Sequence, residues 1–204
     1  MSTHAAFDSV QFLLSAPSIR ECPLDNGFEV AFAGRSNAGK SSALNTLTGQ
    51  NKLAKVSKTP GRTQQINYFT VDDTRKIVDL PGYGYAKVSR SMREQWQRNL
   101  AEWFMERMCL MGLVLVMDAR HPLKPFDQEM LEMCAMRKMP VHILLTKSDK
   151  LSQSAAAQTL KSVRKATEEY PFPVSVQLFS SLKNRGIREL EGVLKQWLRV
   201  NVEL

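Results

Sequence analysis

Residues 34–41 read Gly-Arg-Ser-Asn-Ala-Gly-Lys-Ser, the spacing GxxxxGK[ST], placed directly after an apolar run and directly before a helical pattern. Gly34 and Gly39 let successive backbone N–H groups converge on an anion, at a helix N-terminus already favourable to negative charge. Arg35, Ser36, Asn37 and Ala38 complete a loop that would wrap the phosphates of a nucleotide, and Ser42 is counted with it. Lys40 would reach the β- and γ-phosphates, and the Ser41 hydroxyl would be a ligand of Mg2+. A second element, Asp79-Leu-Pro-Gly82, ends a predicted strand. An Asp there can hold Mg2+, usually through water, while the Gly82 N–H can meet the γ-phosphate. Alone, DxxG is a common turn; behind a phosphate loop and after a strand it becomes informative.

A third constellation, Thr146-Lys147-Ser148-Asp149, closes another apolar run. Guanine presents two donors on one edge, and a carboxylate such as Asp149 accepts both. Adenine lacks both, so it would leave the carboxylate desolvated and unpaired, a mismatch that can reject a ligand by about 10⁴–10⁵. The Lys147 stem can pack over a base while its ammonium ties this loop to the phosphate loop. Phe179, Ser180 and Ser181 end the last strand, where a backbone N–H can donate to guanine O6. The spacing therefore predicts GTP or GDP as ligand, not ATP.

These loops need a scaffold. Phe28–Ala33, Gln65–Val71, Lys76–Leu80, Gly112–Met117, Val141–Thr146 and Val174–Phe179 read as six strands alternating with helical patterns, the signature of an α/β sheet. The runs GLVLVM and VHILLT are continuously apolar, as expected of central parallel strands covered on both faces. One helix is expected from the Gly-rich turn to about Thr48, and a last one over Ile187–Val200. Between the strands, Met92, Trp96, Leu100, Trp103 and Phe104 form an apolar stripe, and Phe126, Met130, Met133 and Met136 another. Each stripe reads as core or as a groove for a partner. Phe7, Val10, Phe12 and Leu13 could form an edge strand or a short helix, so residues 1–24 are expected to lie as an extension on a domain spanning 25–204.

At 204 residues, 43% of them hydrophobic, the chain suits one domain with one buried core. It contains no run of about eighteen apolar residues that would span a membrane. The stretch before QFLLSA lacks the basic region of a secretory signal, so the expected location is the cytoplasm. Cys22, Cys109 and Cys134 are odd in number and form no CxxC pair, which argues against a disulfide framework and for reduced thiols. His4, His121 and His142 have no metal-ligand spacing. The net charge of +8 favours a polyanionic partner, of which nucleic acid is the commonest.

The order GRSNAGKS, PGRTQ, DLPG, TKSD, FSS resembles that of translation-factor-type GTPases, and the longer strings KTPGRTQQINYF and DLPGYGYA resemble the EngB family of bacterial GTP-binding proteins over about residues 24–200. The resemblance implies a three-layer Ras-like P-loop GTPase domain, a mostly parallel six-stranded sheet with helices on both faces. It also implies Mg2+, slow GTP hydrolysis, and a switch in large ribosomal subunit assembly needed for normal cell division and septation, in a chain expected to act as a monomer. Carried over by position, Gly61, Arg62 and Thr63 belong to the first switch. Thr63 is expected to ligate Mg2+, with Thr59 as a rival. Lys40, Thr63 and Gly82 would then carry catalysis. Lys52, Lys55, Lys58 and Arg62 in the first switch, and Arg90, Arg93 and Arg98 after the second, would form a basic surface for ribosomal RNA. Tyr83 stands where Ras-like proteins have the glutamine that orients attacking water, which leaves open a GTP-dependent scaffold with negligible hydrolysis. Asn37 resembles the asparagine that helps bind K+ in potassium-stimulated GTPases. Alternatively, it is a loop residue that tolerates left-handed backbone angles.

Overall fold

The computed structural model describes residues 6–54, 65–82 and 90–200, with no side chains described for 90–96. Within these residues one sheet contains β1 (Gln11–Ala16), β2 (Phe28–Gly34), β3 (Ile66–Thr70), β4 (Arg75–Asp79), β5 (Leu110–Asp118), β6 (Val141–Thr146) and β7 (Val174–Leu178), in the order β1-β3-β4-β2-β5-β6-β7. Strands β4, β2, β5, β6 and β7 are parallel. β3 runs antiparallel to both of its neighbours. The helices are α1 (Lys40–Leu47), α2 (Arg90–Glu106), α3 (Pro125–Arg137), α4 (Gln153–Thr167) and α5 (Ile187–Trp197).

Alternation along the strands builds three layers. Ala31, Leu113, Leu115 and Ile143 face a cluster containing Leu100, Trp103 and Phe104 of α2, Met130 and Leu131 of α3, and Val163 of α4. Val30, Phe32, Val114 and Leu144 face the opposite cluster, with Leu44 and Leu47 of α1 and Leu190 and Leu194 of α5. Strands buried on both faces have no polar side to show, hence the unbroken apolar runs.

Three elements differ from expectation. The sheet has a seventh strand, because Gln11–Ala16 pairs antiparallel with β3 through a bulge between Phe12 and Leu14. At the sheet edge Phe12 and Leu13 stay exposed, so this strand lacks the alternation that marks a half-buried one. Helix α4 was not anticipated; it buries only Ala156, Val163 and Thr167, and its clearest local signal is the Ser152 cap, whose side chain accepts from the Ala155 N–H. Helix α5 stops at Trp197, and Arg199 adopts a left-handed φ of 51°. All three cysteines are free thiols, with Cys109 and Cys134 buried.

The far end of α2 is anchored electrostatically. Arg107 donates to both carboxylate oxygens of fully buried Glu29 at 2.8 and 2.6 Å, and to the Pro23 and Leu24 carbonyls. Lys76 adds a second cation 3.9 Å from Glu29. Arg107→Ala would leave Glu29 buried with that distant lysine alone. The expected loss is about 3–5 kcal/mol of unfolding free energy, read from urea denaturation; a loss under about 1 kcal/mol, the range of exposed pairs, would refute the anchoring role.

Candidate nucleotide site

β2 lies at the middle of the sheet, with later strands added on either side, so a crevice opens beyond its C-terminal end. The register brings the chemistry to that edge. Asp79 sits opposite Phe32, Gly34 opposite Val116, and Asp118 opposite Thr146. A cleft of about 730 Å³ runs from the Gly-rich loop and Asp79–Gly82 toward β1 and β3, whose Phe12, Ser15, Asn67 and Phe69 form its far wall. A recess of about 210 Å³ lies on the other side of the loop, against Asp118, Arg120 and His121. Asn37 and Lys147 border both.

The loop between β2 and α1 turns on two left-handed residues, Asn37 (φ 62°) and Gly39 (φ 102°). The Asn37 angle accords with the reading of a tolerant loop residue and says nothing about a cation. A side chain at Gly39 would stand 3.3 Å from the Thr146 hydroxyl, so glycine serves both backbone angle and packing. Gly34 is equally confined, since a Cβ there would lie 2.6 Å from the Val116 carbonyl oxygen. Lys40 opens α1, and its ammonium bonds directly to the Asp79 carboxylate, both side chains about a tenth exposed. Ser41 and Ser42 follow on the cleft wall, with Leu80, Pro81 and Gly82 opposite.

The second loop is bound to the first. The Thr146 hydroxyl donates to the Ala38 carbonyl and also lies 3.0 Å from that of Met117. Lys147, left-handed at φ 55°, donates its ammonium to the Asn37 carbonyl at 2.6 Å and to Asp118 at 3.0 Å. Asp118 also accepts from the Arg120 guanidinium at 2.9 and 2.7 Å and from the Arg120 N–H. The Arg120 hydrogen bonds, reinforced by Lys147, hold its carboxyl well below the usual carboxylate range against the opposing effect of burial. Asp149 accepts from the Ser180 hydroxyl at 2.5 Å, and that hydroxyl accepts in turn from the Lys183 N–H. The Ser180 bond is the main reason the Asp149 carboxyl lies below its ordinary value.

The structure thus gathers Arg35, Ser36, Asn37, Gly39, Lys40, Ser41, Ser42, Asp79, Gly82 and Lys147 around the large cleft. Gly34 and Ala38 belong to the loop but do not line the cleft, while Thr146 supports the loop from beneath. Asp149 and Ser180 form a neighbouring pair beyond Lys147 and do not line that cleft. The Phe179 side chain is fully buried, its N–H donates to Leu145, and its carbonyl accepts from Ser148. It shapes the loop from within. Ser181 is half-buried next to Ser180. Gly61, Arg62, Thr63, Thr59, Lys55, Lys58 and Tyr83 lie outside the described residues, as do the side chains of Arg90 and Arg93. Asp118 and Arg120 were absent from the expected set; their signal is an acidic residue ending the GLVLVM strand, legible only once β5 is known to lie between β2 and β6.

Ser41 and Asp79 offer a hydroxyl and a carboxylate in one cleft, hard donors that suit Mg2+. Among the described residues no group of three His, Cys, Asp or Glu could hold a metal by itself. The donor set therefore fits an ion shared with phosphate oxygens and water rather than an all-protein cage.

The fold and site define a P-loop GTPase. The family model described as "50S ribosome-binding GTPase" matches residues 29–147. The probable GTP-binding protein EngB of Methylobacillus flagellatus is 55% identical over 192 residues, covering 94% of this chain and 93% of that protein. Its counterpart in Vibrio parahaemolyticus is 52% identical over 197 residues, 97% and 90% of the two chains. The chain belongs to the EngB family of GTP-binding proteins. Among solved structures, a probable GTP-binding protein engB superposes with a TM-score of 0.67 at 22% identity, covering 84% of this chain and 98% of its own. Era in complex with MgGDPNP and nucleotides 1506-1542 of 16S ribosomal RNA gives 0.65 at 23% identity, covering 88% and 59%. At those identities the two structures speak to the fold.

The Ser180 hydrogen bond stabilises the ionised form of Asp149, so its contribution is complete above the unfolded carboxylate value, about 3.9, and is lost as pH falls through the lower folded value. Ser180→Ala should raise the Asp149 carboxyl toward the ordinary value, seen by NMR titration of the carboxyl carbon. If that titration does not move, Ser180 does not set the ionisation of Asp149.

Proposed function

We propose that this GTPase is a slow, guanine-specific switch that works in the cytoplasm on the assembling large ribosomal subunit, and through it supports cell division and septation. The observation that carries the guanine reading is the bond from Lys147 to the Asn37 carbonyl, which holds Asp149 at a fixed offset from the phosphate loop. The backbone N–H groups of the loop and Lys40 hold the phosphates, while Asp149 accepts both donors of guanine and a backbone N–H near Ser180 and Ser181 meets O6. Ser41, Asp79 and Thr63 would hold Mg2+, which when bound neutralises phosphate charge and fixes the γ-phosphate. The Gly82 N–H reports that phosphate to the second switch. With Tyr83 following DLPG, no glutamine places the attacking water, and turnover falls well below the ordinary range of about 1–10³ s⁻¹.

Ribosomal binding is supported by the description of the matching family model and by the net charge of +8. The test is co-sedimentation of the full chain with large ribosomal subunits. More protein should pellet with a non-hydrolysable GTP analogue than with GDP, and pelleting should fall steeply with salt as Lys and Arg displace counterions from RNA. Equal pelleting in both nucleotide states would remove the switch. The same preparations report single-turnover phosphate release, faster in K+ than in Na+ if Asn37 holds the cation; equal rates would leave Asn37 as a loop residue.

Guanine recognition has its own test. In Asp149→Asn the amide nitrogen confronts a guanine donor, whereas xanthine replaces that amine with a carbonyl that the amide can satisfy. The variant should lose GTP and gain xanthosine triphosphate, a relative shift of about 1–3 kcal/mol for each buried polar group left unpaired. Competition titration at fixed Mg2+ measures it, and an unchanged preference for GTP would show that Asp149 does not read the base.

A further inference from the structure

The stripe Phe126, Met130, Met133, Met136 divides between two roles. Met130 is core, but Phe126, Met133 and Met136 line a groove of about 350 Å³ between α2 and α3, floored by Leu100 and Met130. Met136 is 66% exposed, and Met105 and Met108 at the end of α2 are 45% and 75% exposed. Arg137 of α3 bonds to the Phe104 and Arg107 carbonyls, so the helix ends carrying these methionines are adjacent. Three of the seven large apolar side chains exposed among the described residues are these methionines, Met136 on the groove itself and Met105 and Met108 at the neighbouring helix end. Methionine is the side chain best suited to reshape around an incoming apolar group.

The rim is acidic. Glu129 and Glu132 stand exposed on the groove edge, and Gln97 of α2 donates to Glu129 at 3.2 Å. On a chain of net charge +8, a carboxylate-rimmed apolar groove is a local inversion of sign. Its carboxylates repel the phosphates of RNA, although α2, one wall of the groove, also carries exposed Arg98 beside Gln97. We propose that this groove docks a basic, amphipathic helical segment of a protein partner, with an apolar anchor between Met133 and Met136 and Lys or Arg paired to Glu129 and Glu132. The mode is that of a helix laid in a hydrophobic groove. It is separate from RNA binding by the same chain and holds whether or not the ribosomal reading does.

The probe is a synthetic amphipathic peptide of about fifteen Leu and Lys residues, long enough for a marginal helix in water. Three others accompany it: a Leu/Glu peptide, a Lys/Ser peptide and a single-stranded RNA oligonucleotide. The full-length GTPase, carbon-13 labelled at its methionine methyls, is titrated with each. The Leu/Lys peptide should shift the Met133 and Met136 signals saturably, and the other three probes should leave them in place. In Glu129→Gln/Glu132→Gln, loss of two exposed ion pairs should weaken that peptide about three- to tenfold, with the melting temperature unchanged. Ala101→Arg, which puts a bulky charge of the peptide's own sign in the groove, should abolish the shifts. The proposal is overturned if the Leu/Lys peptide leaves both methyls unmoved, if the Leu/Glu peptide or the RNA moves them equally, or if the double variant binds as the wild type does.

Discussion

The Lys147 ammonium donates to the Asn37 carbonyl across 110 residues of sequence, and the C-terminal edge of the sheet is arranged around that bond. The two loops it joins follow β2 and β6, which are not neighbours; β5 lies between them. The long Lys147 side chain reaches the outer part of the loop, at Asn37. Its charge then needs a partner on the intervening strand, which Asp118 supplies at the last residue of β5. Thr146 makes the shorter contact below, from the strand end to the Ala38 carbonyl, and Gly39 leaves room for it. Left-handed angles at Asn37 and Lys147 turn both loops. Such angles cost energy in residues other than glycine, and here both are held by the hydrogen bonds just described.

Most of this could be read from sequence because each motif follows a strand and is contiguous. GRSNAGKS, DLPG and TKSD each place their chemistry within four to eight residues, and the apolar runs before them need only be recognised as buried strands. Contacts made across the sheet were not legible in the same way. Asp118 is one acidic residue after GLVLVM until strand order puts it beside Lys147. β1 was legible only as one of two alternatives, an edge strand or a short helix, because a strand with Phe12 and Leu13 facing solvent carries no period-two pattern. α4 escaped because a helix burying three small or branched side chains shows only a narrow stripe. The methionines of α3 show the limit most clearly: one helical period holds Met130, a core residue, and Met136, a surface one, and spacing alone does not separate them.

Two buried ion pairs illustrate how one interaction can serve structure or chemistry. Glu29 is fully enclosed, both its oxygens bonded to Arg107, with Lys76 near by. So enclosed and bonded, the cluster fixes the end of α2 to the start of β2 rather than facing a ligand. Lys40 and Asp79 are nearly as buried, yet both border the large cleft. There the two charges balance each other on the wall of a space that a phosphate can enter.

That difference carries a thermodynamic consequence for the site. Moving the Lys40 ammonium from Asp79 to a phosphate leaves a mostly buried carboxylate without its cation, and uncompensated buried charge is costly. The cost disappears if a cation reaches Asp79 in the same event. Ser41, one residue after Lys40 on the same cleft wall, is placed to share that cation. The pairing of Lys40 with Asp79 would therefore couple an anion bound at the loop to a cation bound at the carboxylate, so that each would bind more favourably with the other than alone.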